Sequence, residues 1–387
     1  TSKVSPKPQD DMAIDISEID RPAEWEFLDY SHPSNAVMLI LTPMGIVSHF
    51  AGWSGTVTFV LNFLCCIPLS CMMARVAQQV AHYTGDVIGG LITATVGNAA
   101  ELILSCIALR KSRVDLVQAS LVGSMLSSLV LMTGLVLLIS GIQQKEHAFN
   151  SLAVSANSGL LLVGYMALSL PTLYVSLAPE TSNDLQMSYA AAGALAIVYI
   201  QFLYYQTTTH SHLFTGRKYD TMPQMSLAMA LMLLSVVSLV IMIHSELLVR
   251  NVEPMVHSAG FSERFVGAII LPVVGNAAEF FVAILAAMRN RLPLAIGVAF
   301  ASCTQIAVFV VPFTVFVGWT SGIKMDLSFH PFEVVVLHLS VLLVAELLRG
   351  GTATWFQGSL LLATYSLLAF GFLYLPAMPL PFPPGQA

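Results

Sequence analysis

Apolar segments long enough to cross a bilayer recur between residues 34 and 376, and such a chain has few options besides a bundle of membrane-spanning helices. Only 10% of the 387 residues are charged, against about 25% in an ordinary soluble domain. Mean hydropathy is +0.77, which again excludes a soluble fold. The net charge of −6 describes a tail more than the body, since Asp10, Asp11, Asp15, Glu18, Asp20, Glu24, Glu26 and Asp29 all precede Pro33. That tail lacks an apolar signal-peptide region and starts at Thr1, so a processed start is expected, with insertion led by the first membrane helix. The five cysteines, Cys65, Cys66, Cys71, Cys106 and Cys303, all lie in apolar segments without zinc-ligand spacing and read as buried thiols.

Glycine, proline and charged residues punctuate the apolar runs. They predict eleven helices, near 34–50, 55–77, 86–109, 115–141, 151–177, 188–206, 225–249, 264–288, 293–319, 332–349 and 355–376. The predicted fold class is therefore an all-α polytopic membrane protein. Its expected organisation is an acidic tail (1–33), a first transmembrane helix (34–54), a five-helix repeat (55–206), a linker (207–224), a second, inverted five-helix repeat (225–376) and a C-terminal tail (377–387). The balance of Lys and Arg between the loops favours a cytoplasmic N-terminus, although "RKSR" at 110–113 opposes that bias.

The repeat rests on a motif written twice. "VGNAAEL" spans Val96–Leu102, and "VGNAAEF" spans Val274–Phe280, 178 residues later. At that constant offset Gly97 matches Gly275, Asn98 matches Asn276, Glu101 matches Glu279, Arg113 matches Arg291 and Ser124 matches Ser302. The motifs fall on predicted helices three and eight, an odd number apart, so they cross the membrane in opposite senses. Inverted halves with a site between them are typical of secondary transporters.

Within each motif the Asn and the Glu are three residues apart and share a helix face. An ionised carboxylate facing lipid costs a few kcal/mol, so both glutamates should face the protein interior. Gly and Asn weaken the helix, and Pro272 frees carbonyls one turn upstream of the second motif. Carboxylates, amides and loosened carbonyls all offer oxygen, the ligand that hard cations such as calcium require. Two converging carboxylates need a divalent cation or protons, and these occupants exclude one another. The bland reading, glycines for close packing with locally bonded glutamates, suits one motif better than two inverted copies. Ser120, Ser124 and Ser128 form a hydroxyl stripe on helix four, which small-residue packing also explains. On helix nine Gly297, Ala301 and Gln305 share a face beside Ser302, and a buried Gln305 amide needs partners.

At these residues the chain resembles the cation/proton (calcium/proton) exchanger family of the calcium/cation antiporter superfamily. The resemblance runs through "SHPSN", "GGLITATVGNAAELILSCIALRK", "VQASLVGSMLSSLVL" and "QTTTHSHLF" in the first half. It continues through "ELLVRNVEPMV", "VGAIILPVVGNAAEFFVAI", "LAIGVAFASCTQIAVFVVPFTVFVGW" and "SFHPFEVVVLHLSVLL" in the second. It implies eleven helices, one followed by two inverted sets of five, and exchange of calcium (with manganese as a second candidate) for protons. It implies Glu101 and Glu279 as ligands, aided by Asn98, Asn276 and nearby backbone carbonyls; Gly97, Gly275, Ser124, Ser128, Ser302 and Gln305 are expected along the cation pathway. A vacuolar or other endomembrane is the expected location, with the plasma membrane as the alternative. The expected partners are calcium, protons and lipid, without nucleic acid, and a homo-oligomer is compatible with the chain.

The departures concern the proton pathway. Gln78 and Gln79 stand where acids are usual, Phe280 where a histidine is usual, Ser128 where an asparagine is common and Ala301 where a glycine is common, while Asp86 and Glu246 retain the usual acids. The same fold with altered or lost proton coupling, or a non-transporting calcium-binding membrane protein, therefore stands as the alternative. A membrane enzyme finds no support, because neither H-E-x-x-H nor G-x-S-x-G occurs. Weaker signals are His210 and His212 in the linker, read as solvated, and His244 with Glu246 as a polar access point or a simple helix end. Arg75 is expected to snorkel to headgroups, and Glu346 to pair with Arg349 at an interface.

Overall fold

A computed structural model describes residues 33–84, 89, 92, 95–149, 151–177, 184–209 and 225–375. Asp86, His210 and His212 lie outside the described residues, as does most of the 207–224 linker. The first half comprises α1 (Pro33–Phe50), α2 (Gly55–His82), α3 (Ala99–Arg110), α4 (Val114–Leu126), α5 (Thr133–Gln143), α6 (Ser151–Leu177) and α7 (Asp184–Tyr204). The second comprises α8 (Leu227–Arg250), α9 (Val252–Ala259), α10 (Glu263–Phe265), α11 (Leu271–Gly275), α12 (Ala277–Met288), α13 (Leu292–Gln305), α14 (Val311–Thr320), α15 (Pro331–Leu348) and α16 (Trp355–Tyr374). Among the described residues eight helices are long and apolar enough to cross a membrane, or nine if a pair bent by 114° counts as one.

Several boundaries differ from the sequence reading. The second helix runs on to His82, because nothing in "AQQVAH" opposes helix. Residues 250–263, expected as a connection, contain α9. Pro254 sits in its first turn, where a missing N–H is harmless, and Gly260 closes it at φ 72°. A two-residue antiparallel pair, β1 (His147–Ala148) with β2 (Thr352–Ala353), ties the two halves together.

The halves share their irregularities at the 178-residue offset. Both motif helices break at the asparagine, Asn98 at φ −94°, ψ 16° and Asn276 at φ −87°, ψ 13°. The turns after them enter the left-handed region at Ser112 (φ 57°) and Asn290 (φ 58°). The following helices widen into π-turns at Ser127–Met132 and Ile306–Val310. Local strain reproduced in both copies marks a structural repeat, not a coincidence of sequence. Long helix pairs, α2 along α8 and α16 along α5, hold the halves together, and the main apolar core lies between α4, α5, α13 and α14.

Candidate cation site between the two halves

Glu101 lies in the first turn of α3, after the break at Asn98, and Glu279 lies in the first turn of α12, after Asn276. Each carboxylate crosses to the other half. Glu101 lies against Gly275, where a Cβ would come 2.7 Å from its Oε1, and Glu279 Oε1 lies 3.4 Å from where a Cβ would project from Gly97. The two charges are close enough to act on each other. Glu101 is buried and Glu279 partly so. Among the described residues, Glu101 Oε1, Glu101 Oε2 and Glu279 Oε2 are buried with no hydrogen-bond donor. Buried acceptors normally have partners, so three carboxylate oxygens without a protein donor suit the binding of protons or a cation.

The asparagines are held by related contacts. Asn98 Nδ2 donates to Gln305 Oε1 at 2.7 Å, and Asn276 Nδ2 donates to Ser127 Oγ at 2.8 Å. Ser127 is the counterpart of Gln305 at the 178-residue offset, so these two bonds are one contact repeated. Sequence reasoning singled out Gln305 and missed Ser127, although the offset pointed to it. Asn276 Nδ2 also reaches the Ser124 carbonyl at 3.2 Å, which can only accept, and this fixes the amide. Its Oδ1 then turns to Ser302 Oγ at 3.4 Å, and Ser302 meets Ser128 at 3.1 Å. Glu101, Glu279, both asparagines, both motif glycines, Ser124, Ser128, Ser302 and Gln305 thus converge on one region.

Of the described proton-pathway candidates, Glu246 stands apart from this region. Glu246 sits near the end of α8, 3.0 Å from Lys111 Nζ and 2.9 Å from Arg250 Nε, as an ion-paired helix end. Burial pushes the Lys111 pKa down, while Glu246 opposes that shift. Phe280 packs into the apolar core, and Gln79 is buried in α2. Arg75 is partly buried, and its guanidinium lies 5.7 Å from the ring centre of the exposed Phe281. The Glu346–Arg349 pair forms at 3.4 Å, and the cysteines are unpaired thiols, with Cys106 only partly buried.

The matched stripes that follow the two motifs differ in burial. Ala119 and Gly123 on α4 and Ser127 just after it are buried, and Gly123 admits the Ala268 carbonyl so closely that a Cβ would lie 2.1 Å from its oxygen. That carbonyl is the one that Pro272, lacking an N–H, cannot bond. The counterparts on α13 are open: Gly297 is exposed, with Ala301 and Gln305 partly so. Ion pairs gather on the sealed side. Arg113 holds Glu253 (2.5 Å) and Glu263, while Arg264 holds Asp115 (3.0 Å) and buried Glu333 (3.2 Å).

Among the described residues no group of three or more His, Cys, Asp or Glu forms. A cation here would have two carboxylates and otherwise neutral oxygens, far fewer protein charges than a permanent cage uses, which suits a passing ion. An all-helical membrane bundle whose related halves each bring one buried carboxylate to a shared point is a membrane transporter fold. The chain belongs to the family described as sodium/calcium exchanger protein, whose model matches residues 54–208 and 229–374. It is 35% identical over 362 residues to a Ca(2+)/H(+) antiporter of Synechocystis, covering 88% of this chain and 97% of that one. It is 34% identical to a vacuolar calcium ion transporter of Schizosaccharomyces pombe, covering 88% of this chain and 84% of that one. The solved structure of native YfkE superposes with a TM-score of 0.76 at 30% identity, covering 87% of this chain and all of that one.

Proposed function

We propose that this integral membrane protein is a secondary antiporter that exchanges calcium for protons, with Glu101 and Glu279 holding the cation between the halves. The observation that carries this reading is the trio of buried, donor-free carboxylate oxygens, each carboxylate resting on the other half's glycine. A divalent cation neutralises both carboxylates at once; without it, burial and mutual repulsion favour protons. The same oxygens therefore serve either occupant and never both, and that competition couples the two flows. Asn98 and Asn276, anchored through Gln305, Ser127, Ser124 and Ser302, hold the helix breaks in place and add neutral oxygen ligands. The open stripe Gly297–Ala301–Gln305 gives a hydrated ion its approach, while the sealed stripe Ala119–Gly123–Ser127 blocks leakage across the membrane. A vacuolar-type membrane is the favoured location, and manganese is the favoured second cation because it also accepts carboxylate and carbonyl oxygen.

The test is calcium flux into proteoliposomes with and without a pH gradient. Uptake that follows the gradient, with counterflow of protons, is expected. Calcium binding without flux would replace this reading with a membrane scaffold, and flux indifferent to pH would leave the fold but remove the proton coupling.

A further inference from the structure

His244 lies deep in α8, where the cation site makes no use of it. Its ring is fully buried, and Nδ1 sits 2.7 Å from Asn62 Oδ1 on α2. The Asn62 amide is fixed, because Nδ2 donates to two backbone carbonyls, Gly45 at 3.1 Å and Thr58 at 2.7 Å. Its Oδ1 can only accept, so the proton of the neutral imidazole is on Nδ1. Nε2 then carries a lone pair, and it is buried without a hydrogen-bond partner. Gly45 of α1 closes the pocket: a Cβ there would lie 3.0 Å from His244 Cε1 and 3.1 Å from Nδ1.

The pocket stands between one membrane face and the glutamates. Seven residues of α2 separate Gly55 from Asn62, about 10 Å at helical rise, and nine separate Asn62 from Cys71, about 14 Å. Cys71 packs on Ala277 and Ala278 and lies within electrostatic reach of Glu279. Between these levels the buried Asn62, Cys66 and Ser70 follow one another at four-residue spacing, with Cys66 engaging Ser245 beside His244. The helices packed around His244 bring His49 on α1, Cys65 and Cys66 on α2, Lys111 just after α3 and Glu253 on α9, besides Glu246 and Arg250 on α8 itself. Lys111 and Arg250 engage Glu246, and Arg113 engages Glu253, so these charges are satisfied among themselves.

We propose that His244 is a proton-binding residue of the exchange cycle in addition to the paired glutamates, accepting a proton at Nε2 from the face where α8 ends. A hydronium gives its proton to the Nε2 lone pair and becomes water; the imidazole becomes imidazolium and no other bond changes. The site rests on the antiport reading. It places a titratable group inside the membrane of a chain whose Gln78, Gln79 and Phe280 cannot titrate. The sealed ring can be protonated only when the α1–α8 contact loosens, which ties proton uptake to conformational change.

The experiment compares pH profiles of calcium uptake in proteoliposomes for the unmodified protein, His244→Gln and Asn62→Asp, with calcium/calcium exchange as the folding control. His244→Gln is expected to lower gradient-driven uptake about tenfold and remove one inflection from the pH profile, leaving calcium/calcium exchange intact. Asn62→Asp sets a carboxylate against Nδ1 and is expected to move that inflection to higher pH. If His244→Gln does not fold, the Asn62→Asp profile decides. An unmodified protein without pH-driven uptake overturns the antiport reading itself. Normal coupling with an unchanged profile in the folded variants overturns the role of His244.

Discussion

The closest contact in the proposed site yields its most discriminating test. Gly275→Ala would place a methyl group 2.7 Å from Glu101 Oε1 and 2.9 Å from its Cδ and Cγ, inside the 3.4 Å at which ordinary contact begins. The carboxylate must retreat by about 0.7 Å, more than the roughly 0.2 Å tolerance of a metal–oxygen bond. One of two charged ligands is then misplaced. Calcium affinity should fall by about 10- to 100-fold, or roughly 1.4–2.7 kcal/mol. The counterpart Gly97→Ala meets Glu279 Oε1 at 3.4 Å, an ordinary contact, and should change affinity by less than about threefold, under roughly 0.7 kcal/mol. Equilibrium calcium binding to detergent-purified protein reads both effects, and thermal melting confirms that each variant is folded. Unchanged affinity in folded Gly275→Ala, or equal losses in the two variants, would refute the crossed-carboxylate geometry.

Glu101→Gln and Glu279→Gln should each abolish divalent uptake in proteoliposomes while expression persists, since each keeps the volume and removes one of two neutralising charges. The double variant Gln79→Glu, Phe280→His should steepen the pH dependence of uptake; an identical profile would make those departures silent. Arg264→Leu leaves buried Glu333 without its cation, and a loss of about 3–5 kcal/mol, seen as a large drop in melting temperature, is expected, with partial recovery on adding Glu333→Gln. Burial, then Arg264, holds His330 below the ordinary imidazole range while its Nδ1 accepts from the Phe332 N–H at 3.1 Å. A depressed imidazole stabilises the fold fully above its ordinary pKa and loses that contribution as pH falls from there through the folded value. Melting temperature should decline over that interval, and His330→Asn, a cap that does not titrate, should flatten the decline.

The motif glutamates, their asparagines and the two-fold plan were legible because membrane chemistry makes a buried carboxylate conspicuous and a constant offset makes a repeat countable. Gln305 was legible for the same reason, as an amide in an apolar run. The amphipathic helix α9 was not, since eight residues with two charged or ionisable groups and a proline read like a loop until Gly260 is recognised as its stop. His244 was noticed as polar, but its tautomer and its empty Nε2 follow only from where Gly45 and Thr58 place their carbonyls.

The sequence by itself determined that two related halves would each carry a carboxylate into the membrane, because the same residues recur at one spacing. It did not determine which of the two matched stripes is buried. Ala119–Gly123–Ser127 and Gly297–Ala301–Gln305 are equivalent positions, yet the first is buried beneath the Ala268 carbonyl and the second is open. Under the proposed antiport, one site cannot open to both faces at once without leaking ions, and unequal packing of equivalent stripes meets that requirement. Only the tertiary arrangement, with Arg113 and Arg264 drawing acidic residues together over one end, breaks that symmetry.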